Sequence, residues 1–293
     1  MQGKVLRAQN SFFYVATREG LVEAKLRGRL KKERIAVVPG DDVELELTEG
    51  GAGVIERRCE RKSLLRRPLV ANIDQVVLVF AAREPDINPV LIDRFLVLAE
   101  WSKIERIILC INKMDLLEGD EAEIPALAAL YREIGYPVCL LSTVTGEGVA
   151  NMQSLVKGKT SVFAGSSGVG KSSLLNCLAP GIALSTGAVS EKIKRGRHTT
   201  RTAQLLPFAG GFLVDTPGFS ATELAEIEPC ALSGLFPEFR SFFGACRFQP
   251  CTHSHEPGCA VKEAVQAGSI EDSRYASYLE MLQQSVQRKK VYR

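Results

Sequence analysis

"GSSGVGKSSLLN" at residues 165–176 decides how this chain is read. It fits G-x-x-x-x-G-K-[ST] at Gly165, Gly170, Lys171 and Ser172. Apolar "TSVFA" precedes it and helix-forming "SSLLNCLA" follows, the strand–loop–helix setting that a phosphate-cradling loop needs. Glycines let successive backbone N–H groups point at phosphate oxygens, and the helix N-terminus adds a favourable dipole. The segment Gly165, Ser166, Ser167, Gly168, Val169, Gly170, Lys171, Ser172 and Ser173 is therefore expected to wrap a nucleotide phosphate chain. Lys171 would reach the terminal phosphates, and the Ser172 hydroxyl would bind Mg²⁺. A glycine-rich turn without ligand is the bland alternative, and the flanks argue against it.

Downstream, "FLVDTPGF" supplies a second phosphate-side element. Asp215 ends an apolar strand and can hold the metal through a water, while the Gly218 amide can sense a γ-phosphate. Between the two elements lies "STGAVSEKIKRGRHTTRT", polar and with little apolar periodicity. A loop of that length in a compact domain is usually functional or disordered. Thr200 is the expected second hydroxyl on Mg²⁺, with Thr199 the alternative. The loop would be ordered by γ-phosphate and metal and released after hydrolysis.

Upstream, "CINKMDLL" at 110–117 holds Asn112, Lys113 and Asp115 at the end of an apolar run. A carboxylate at Asp115 can accept from the guanine N1–H and 2-amino groups together. Adenine lacks both donors there, so an unpaired carboxylate would reject ATP. Asn112 would brace the loop and the Lys113 stem would lie over the base. The next strand ends in Ser142 and Thr143, whose backbone amides could meet the guanine carbonyl. Ordinary GTPases place these base-reading loops after the phosphate loop. Here the order is reversed, which a parallel sheet tolerates, because all such loops lie along one sheet edge whichever strand comes first.

The strand-length runs "DQVVLVFAA", "RIILCINK", "VCLLST", "TSVFAG" and "GFLVDTPG" are almost continuously apolar, as in a buried parallel sheet. Helical stretches such as "PVLIDRFLVLAEW" and "EIPALAALYREIG" separate several of them, so residues 69–225 read as a doubly wound α/β domain. Residues 1–68 alternate apolar and polar positions between turns, as about five short strands of a small barrel would. An OB-fold is expected, and an SH3-like barrel would give nearly the same pattern. From 226 onward the chain is short-ranged and Cys/His-rich. It ends in a helix near 273–289, whose Tyr275, Tyr278, Leu279, Leu282 and Val286 would pack onto the cluster before them.

Of 293 residues, 45% are hydrophobic and 24% charged, which suits a soluble chain with a sizeable core. No apolar run approaches the ~20 residues that span a bilayer, and no signal-peptide pattern opens the chain, so a cytoplasmic protein without a membrane partner is expected. Nothing points to an obligate dimer, so a monomer is expected. Net charge is only +3, but "RRCERKSLLRR" at 57–67 carries six basic residues against one Glu, and the chain ends "QRKKVYR". The two runs favour a phosphate-rich partner over merely solvated faces.

"CRFQPCTHSHEPGC" at 246–259 places Cys246, Cys251, His253 and Cys259 within fourteen residues. Three thiolates and one imidazole complete a tetrahedral Zn²⁺ shell with no open position, as a structural site requires. His255 could replace His253.

The order of "NKMD", "GSSGVGKSSLLN", "GRHTTR", "DTPGF" and the Cys/His cluster resembles the RsgA/YjeQ family of circularly permuted bacterial GTPases over nearly the whole chain. The resemblance implies an OB-fold RNA-binding barrel (1–68), a permuted GTPase domain (69–225) and a zinc-binding α-helical domain (226–293). It implies binding to the small ribosomal subunit and its rRNA late in assembly, with GTP hydrolysis to GDP linked to release. Phe219 follows Gly218, and no water-orienting Gln is near. The resemblance assigns that role to His198, which from the residues alone could equally be a solvated loop histidine. Two other readings remain at this stage: an RNA-binding module whose nucleotide site senses GTP without turnover, and an ATPase, which Asp115 disfavours.

Overall fold

The computed structural model describes residues 1–66, 69–119, 122–180, 203–215 and 227–291. His198, Thr199, Thr200 and Gly218 lie outside them.

Strands β1 (Gln2–Gln9), β2 (Phe12–Thr17), β3 (Gly20–Leu26), β4 (Asp42–Leu47) and β5 (Gly53–Arg58) close into a barrel in the order β1-β2-β3-β5-β4. Helix α1 (Gly28–Lys32) joins β3 to β4. All pairings are antiparallel except β3 with β5. This is the Greek-key barrel expected of an OB-fold. Alternation of apolar residues fills it: Val5, Phe13, Val15, Ala24, Val43, Leu45 and Ile55 all point inward and are buried.

The stretch after the barrel contains the short antiparallel pair β6 (Leu64–Arg66) and β7 (Leu69–Ala71). It is tied down by a buried carboxylate. Asp41 accepts from the Val38 amide at 2.7 Å and from the Arg61 guanidinium at 2.6 and 2.8 Å. Asn72 donates to the Gly40 carbonyl at 2.9 Å and accepts from the Lys62 amide at 2.9 Å. The basic run at 57–67 is thus partly spent inside the molecule. Arg61 pairs with Asp41, Arg57 with Glu44, and Arg58 donates to the Ala36 carbonyl. Arg57 and Arg61 therefore each meet an intramolecular carboxylate.

The second sheet has the order β10-β9-β8-β11-β13-β12, from β8 (Gln75–Ala81), β9 (Arg106–Asn112), β10 (Val138–Leu140), β11 (Thr160–Ala164), β12 (Gln204–Phe208) and β13 (Gly211–Asp215). Strands β9, β8, β11 and β13 are parallel, and β12 returns antiparallel to β13. All of β8 is buried, which accounts for its continuous hydrophobicity. Helices α2 (Pro89–Trp101), α3 (Glu123–Ile134), α4 (Val149–Val156) and α5 (Lys171–Leu178) fall between strands. Helix α2 starts where its sequence dictates: Asn88 caps the Leu91 amide at 3.2 Å and Pro89 takes the first position.

The C-terminal elements are α6 (Pro229–Leu232), two short 3₁₀ turns, α7 (Ala260–Gln266) and α8 (Asp272–Val291). By contacts the chain forms two compact units: Met1–Pro85 with Ile104–Leu117 and Cys139–Phe219, and Asp86–Lys103 with Glu118–Val138 and Ser220–Arg293. In the second unit α2 and α3 join the C-terminal elements through a buried charge cluster. Arg274 on α8 pairs with Asp93 on α2 and with Glu238, and is only 1% exposed. The Tyr131 hydroxyl on α3 donates to Asp93 at 2.6 Å. Burial works to lower the Arg274 pKa, but Asp93 and Glu238 outweigh it and hold the guanidinium charged. Tyr278 and Leu282 of α8 are buried as expected. Val286, expected to pack, is 40% exposed, because the buried face runs through Arg274, Ser277, Tyr278, Met281, Leu282 and Ser285. No helix among the described residues is long and apolar enough to cross a membrane.

Candidate functional site

Because β9, β8 and β11 are parallel neighbours, the loops leaving their carboxyl ends share one edge. The phosphate-loop candidate follows β11, and Asn112, Lys113 and Asp115 follow β9. The turn Ala82–Pro85 follows β8 and so lies between them.

Two glycines of the phosphate loop are required by close approach. A Cβ on Gly165 would sit 2.1 Å from the Val79 carbonyl oxygen, and one on Gly170 would sit 2.3 Å from Nδ2 of Asn112. Gly170 also has φ +90°, a conformation that costs other residues strain. Lys171 folds back so that its ammonium donates to the carbonyls of Gly165 at 2.8 Å and Ser166 at 2.6 Å. Ser172 and Ser173 occupy the first turn of α5.

Asn112 joins the two motifs. Fully buried, it donates from Nδ2 to the Val169 carbonyl at 3.0 Å and accepts at Oδ1 from the Thr143 amide at 3.2 Å. Lys113 takes the left-handed conformation, φ +63°, and its ammonium donates to the Glu84 carbonyl. Pro85 closes against the phosphate loop: its Cδ lies 3.8 Å from where a Cβ on Gly168 would be. Exposed Asp115 accepts from the Ser142 hydroxyl, whose oxygen in turn accepts from the amides of Val144 and Thr145, each at 3.1 Å. The amide of Ser142 donates to the Glu147 carbonyl at 3.0 Å. The amides of Ser142 and Thr143 are thus engaged within the protein. The Ser142 hydroxyl orients Asp115, a role the sequence reading missed; an Asp and a Ser ending neighbouring strands were the available signal.

Asp215 ends β13 opposite Phe163 of β11, one strand away from the phosphate loop. Asp215 thus ends the strand next to β11, and Ser172 lies in the first turn of the helix that follows β11; a carboxylate and a hydroxyl are of the hard-oxygen kind that suits Mg²⁺.

In the C-terminal unit the ligating atoms of Cys246, Cys251, His253 and Cys259 lie within 4.8 Å of one another. His253 Nδ1 is 3.6 Å from Cys246 Sγ and 3.4 Å from Cys259 Sγ. Such separations fit the edges of a tetrahedron with Zn–S of ~2.3 Å and Zn–N of ~2.0–2.1 Å. His255 lies outside the cluster, exposed, with Nδ1 3.0 Å from Ser254 Oγ. Burial lowers the His253 pKa and so favours the neutral, ligating imidazole. Tyr275 and Tyr278 of α8 donate to the carbonyls of His253 and Thr252, and Phe243 stacks on the His253 ring at 5.6 Å. Against the upward push of burial, hydrogen bonds from Thr252 and Ser254 hold the Glu256 carboxyl at about 2. The loop is therefore braced from its back as well as by its ligands.

Known proteins share this arrangement. Residues 57–225 match the profile of the RsgA GTPase and residues 2–55 that of the RsgA N-terminal domain. A small ribosomal subunit biogenesis GTPase RsgA from Caldanaerobacter subterraneus subsp. tengcongensis is 46% identical over 99% of this chain and 97% of its own. The protein of the same name from Geobacillus thermodenitrificans is 44% identical over 99% of each. Among solved structures, YjeQ from Thermotoga maritima superposes with a TM-score of 0.86 at 41% identity, covering 97% of this chain and 98% of that one. YloQ, described as a circularly permuted GTPase, gives 0.84 at 38% identity, covering 98% and 95%. Fold, motif order and full-length similarity agree: this chain is a GTPase of the RsgA family.

Proposed function

We propose that the protein is a cytoplasmic, monomeric assembly factor that binds the small ribosomal subunit and its rRNA late in maturation and leaves after hydrolysing GTP. Relatives named small ribosomal subunit biogenesis GTPase match it end to end, and that full-length match is the observation carrying the reading. Asp115, steadied by Ser142, reads the guanine edge. Lys113, anchored on the Glu84 carbonyl, covers the base. The loop Gly165–Ser173 and Lys171 hold the phosphates, and Ser172, Thr200 and Asp215 would hold Mg²⁺, which would supply charge neutralisation to the phosphates. His198 orients a water whose oxygen bonds to the γ-phosphorus as the bond to the β,γ-bridging oxygen breaks, leaving GDP and phosphate. The Gly218 amide meets the γ-phosphate while it is present. Zn²⁺ on Cys246, Cys251, His253 and Cys259 is structural and fastens a region too small to hold its own core.

The test is GTP turnover with and without small subunits, with co-sedimentation in GDP and in a non-hydrolysable GTP analogue. Strong stimulation and analogue-dependent co-sedimentation are expected. Negligible turnover under both conditions would favour a GTP-sensing RNA-binding module instead. A His198→Ala protein keeping its full stimulated rate would remove His198 from the mechanism.

A further inference from the structure

We propose that Lys4 of the barrel and Phe212 of β13 are positioning residues for GTP hydrolysis: by bracing the β12–β13 hairpin, they set where Asp215 meets Mg²⁺. The proposal rests on the reading of Asp215 as a Mg²⁺ residue and specifies what holds its strand in place.

The hairpin closes one edge of the second sheet, with β12 outermost and β13 paired to β11. Its two-residue turn, Ala209 and Gly210, has φ of +44° and +81°, which suits the twist of the flanking strands. That closed end is held by the turn before β11. The Ala209 carbonyl accepts from the Gly158 amide at 3.1 Å, and the Phe212 amide donates to the Lys159 carbonyl at 3.0 Å. A Cβ on Gly211 would sit 2.3 Å from that same carbonyl oxygen, so the two turns are as close as their backbones allow.

The other support comes from the barrel, which belongs to the same compact unit. Strand β1 packs against β12. From β1 the Lys4 ammonium lies 6.0 Å from the Phe212 ring centroid, within reach of a cation–π contact. The Asp42 carboxylate at 2.8 Å and the Gly40 carbonyl at 3.3 Å fix the ammonium there. Phe212 opposes Pro207 across the hairpin and Thr160 of β11; three residues on, Asp215 opposes Gln204 and Phe163. Only Leu213 and Val214, both buried, lie between, a span of ~10 Å. An extended strand paired on both sides carries a displacement along its axis, so a shift at Phe212 reappears at Asp215. Octahedral ligation by Mg²⁺ tolerates little misplacement of a ligand. An edge strand also needs cover against stray pairing, but cover alone would give Lys4 no bearing on the metal.

The full-length protein should be compared with Lys4→Met, Phe212→Leu, the two combined, and Lys4→Arg. Each is titrated with a non-hydrolysable GTP analogue with and without Mg²⁺, and its turnover is followed against Mg²⁺ concentration. Either single change should raise the Mg²⁺ needed for half-maximal turnover about two- to fivefold, the order set by one cation–π contact. The extra analogue affinity that Mg²⁺ confers should fall by the same factor, while affinity without Mg²⁺ stays at the parent's. The double variant should be no worse than the singles, and Lys4→Arg should restore the parent's metal dependence. Hydrogen exchange across Gln204–Asp215 should rise in Lys4→Met. Parental Mg²⁺ dependence in Lys4→Met, additive losses in the double variant, or equal loss of affinity with and without Mg²⁺ overturns the brace and leaves the barrel as cover for an edge strand. A parent whose analogue binding ignores Mg²⁺ defeats the reading of Asp215 itself; a metal-dependent parent with indifferent variants defeats only the brace.

Discussion

Replacing Asn112 by Ala should cost guanine-nucleotide affinity out of proportion to its distance from any reacting atom. The side chain makes two hydrogen bonds, to the Val169 carbonyl and from the Thr143 amide. Thr143 is half-exposed, so its amide can rehydrate, and that loss is about 1 kcal/mol. Val169 is 1% exposed, so its carbonyl stays dry and unpaired, which adds ~1–3 kcal/mol. The total of ~2–4 kcal/mol corresponds to a roughly 30- to 1,000-fold weaker complex if the loops must re-form to bind. Calorimetric titration with GDP reads this directly, and a thermal melt separates it from global unfolding. Asn112→Asp keeps the acceptor for Thr143 but sets a carboxylate against the Val169 carbonyl, and should be no better than Ala. An Asn112→Ala protein that binds GDP within threefold of the parent would refute the claim that this side chain joins the two motifs.

Other outcomes follow from the same geometry. Pro85→Gly and Lys113→Met should each weaken GTP binding several-fold, and their effects should be less than additive in a double-mutant cycle, because the Ala82–Pro85 turn acts by holding the Lys113 ammonium. Arg274→Leu leaves the Asp93 carboxylate buried without its cation and should destabilise the protein by ~3–5 kcal/mol in denaturant titrations. Chelation should loosen the C-terminal unit, read as increased hydrogen exchange in residues 246–259. Burial, reinforced by neighbouring thiols, pushes the Cys251 thiol up to about 12, so at neutral pH metal must displace its proton. That single thiol should weaken metal binding about tenfold for each unit by which pH falls, measured by competition with a metal indicator.

The phosphate loop and the base-reading loop were legible because each is local: a few residues in order, framed by a strand and a helix. The permuted order was legible too, since sheet position and chain order are independent. The barrel could be expected from alternation, but strand order and the parallel β3–β5 pairing depend on contacts far apart in sequence. The Arg274–Asp93 pair joins residues separated by 181 positions, and no local pattern signals such a partner. The partners of Arg57 and Arg61 in the basic run at 57–67 were hidden for the same reason: Glu44 and Asp41 belong to the preceding barrel segment. His253 could not be chosen over His255 from spacing. The choice is made by chain direction at the cluster, where His253 has φ +53° and its imidazole points at the thiols of Cys246 and Cys259.

The account turns on residues 112–115 and 165–173 forming a single guanine-nucleotide site despite their reversed order. The most direct measurement is the affinity of an Asp115→Asn protein for GDP and for xanthosine diphosphate. Exchanging the carboxylate for an amide replaces an acceptor for the guanine N1–H with a donor, so the preference should invert in favour of the xanthine nucleotide. An Asp115→Asn protein that still prefers GDP by the parental margin would contradict the account.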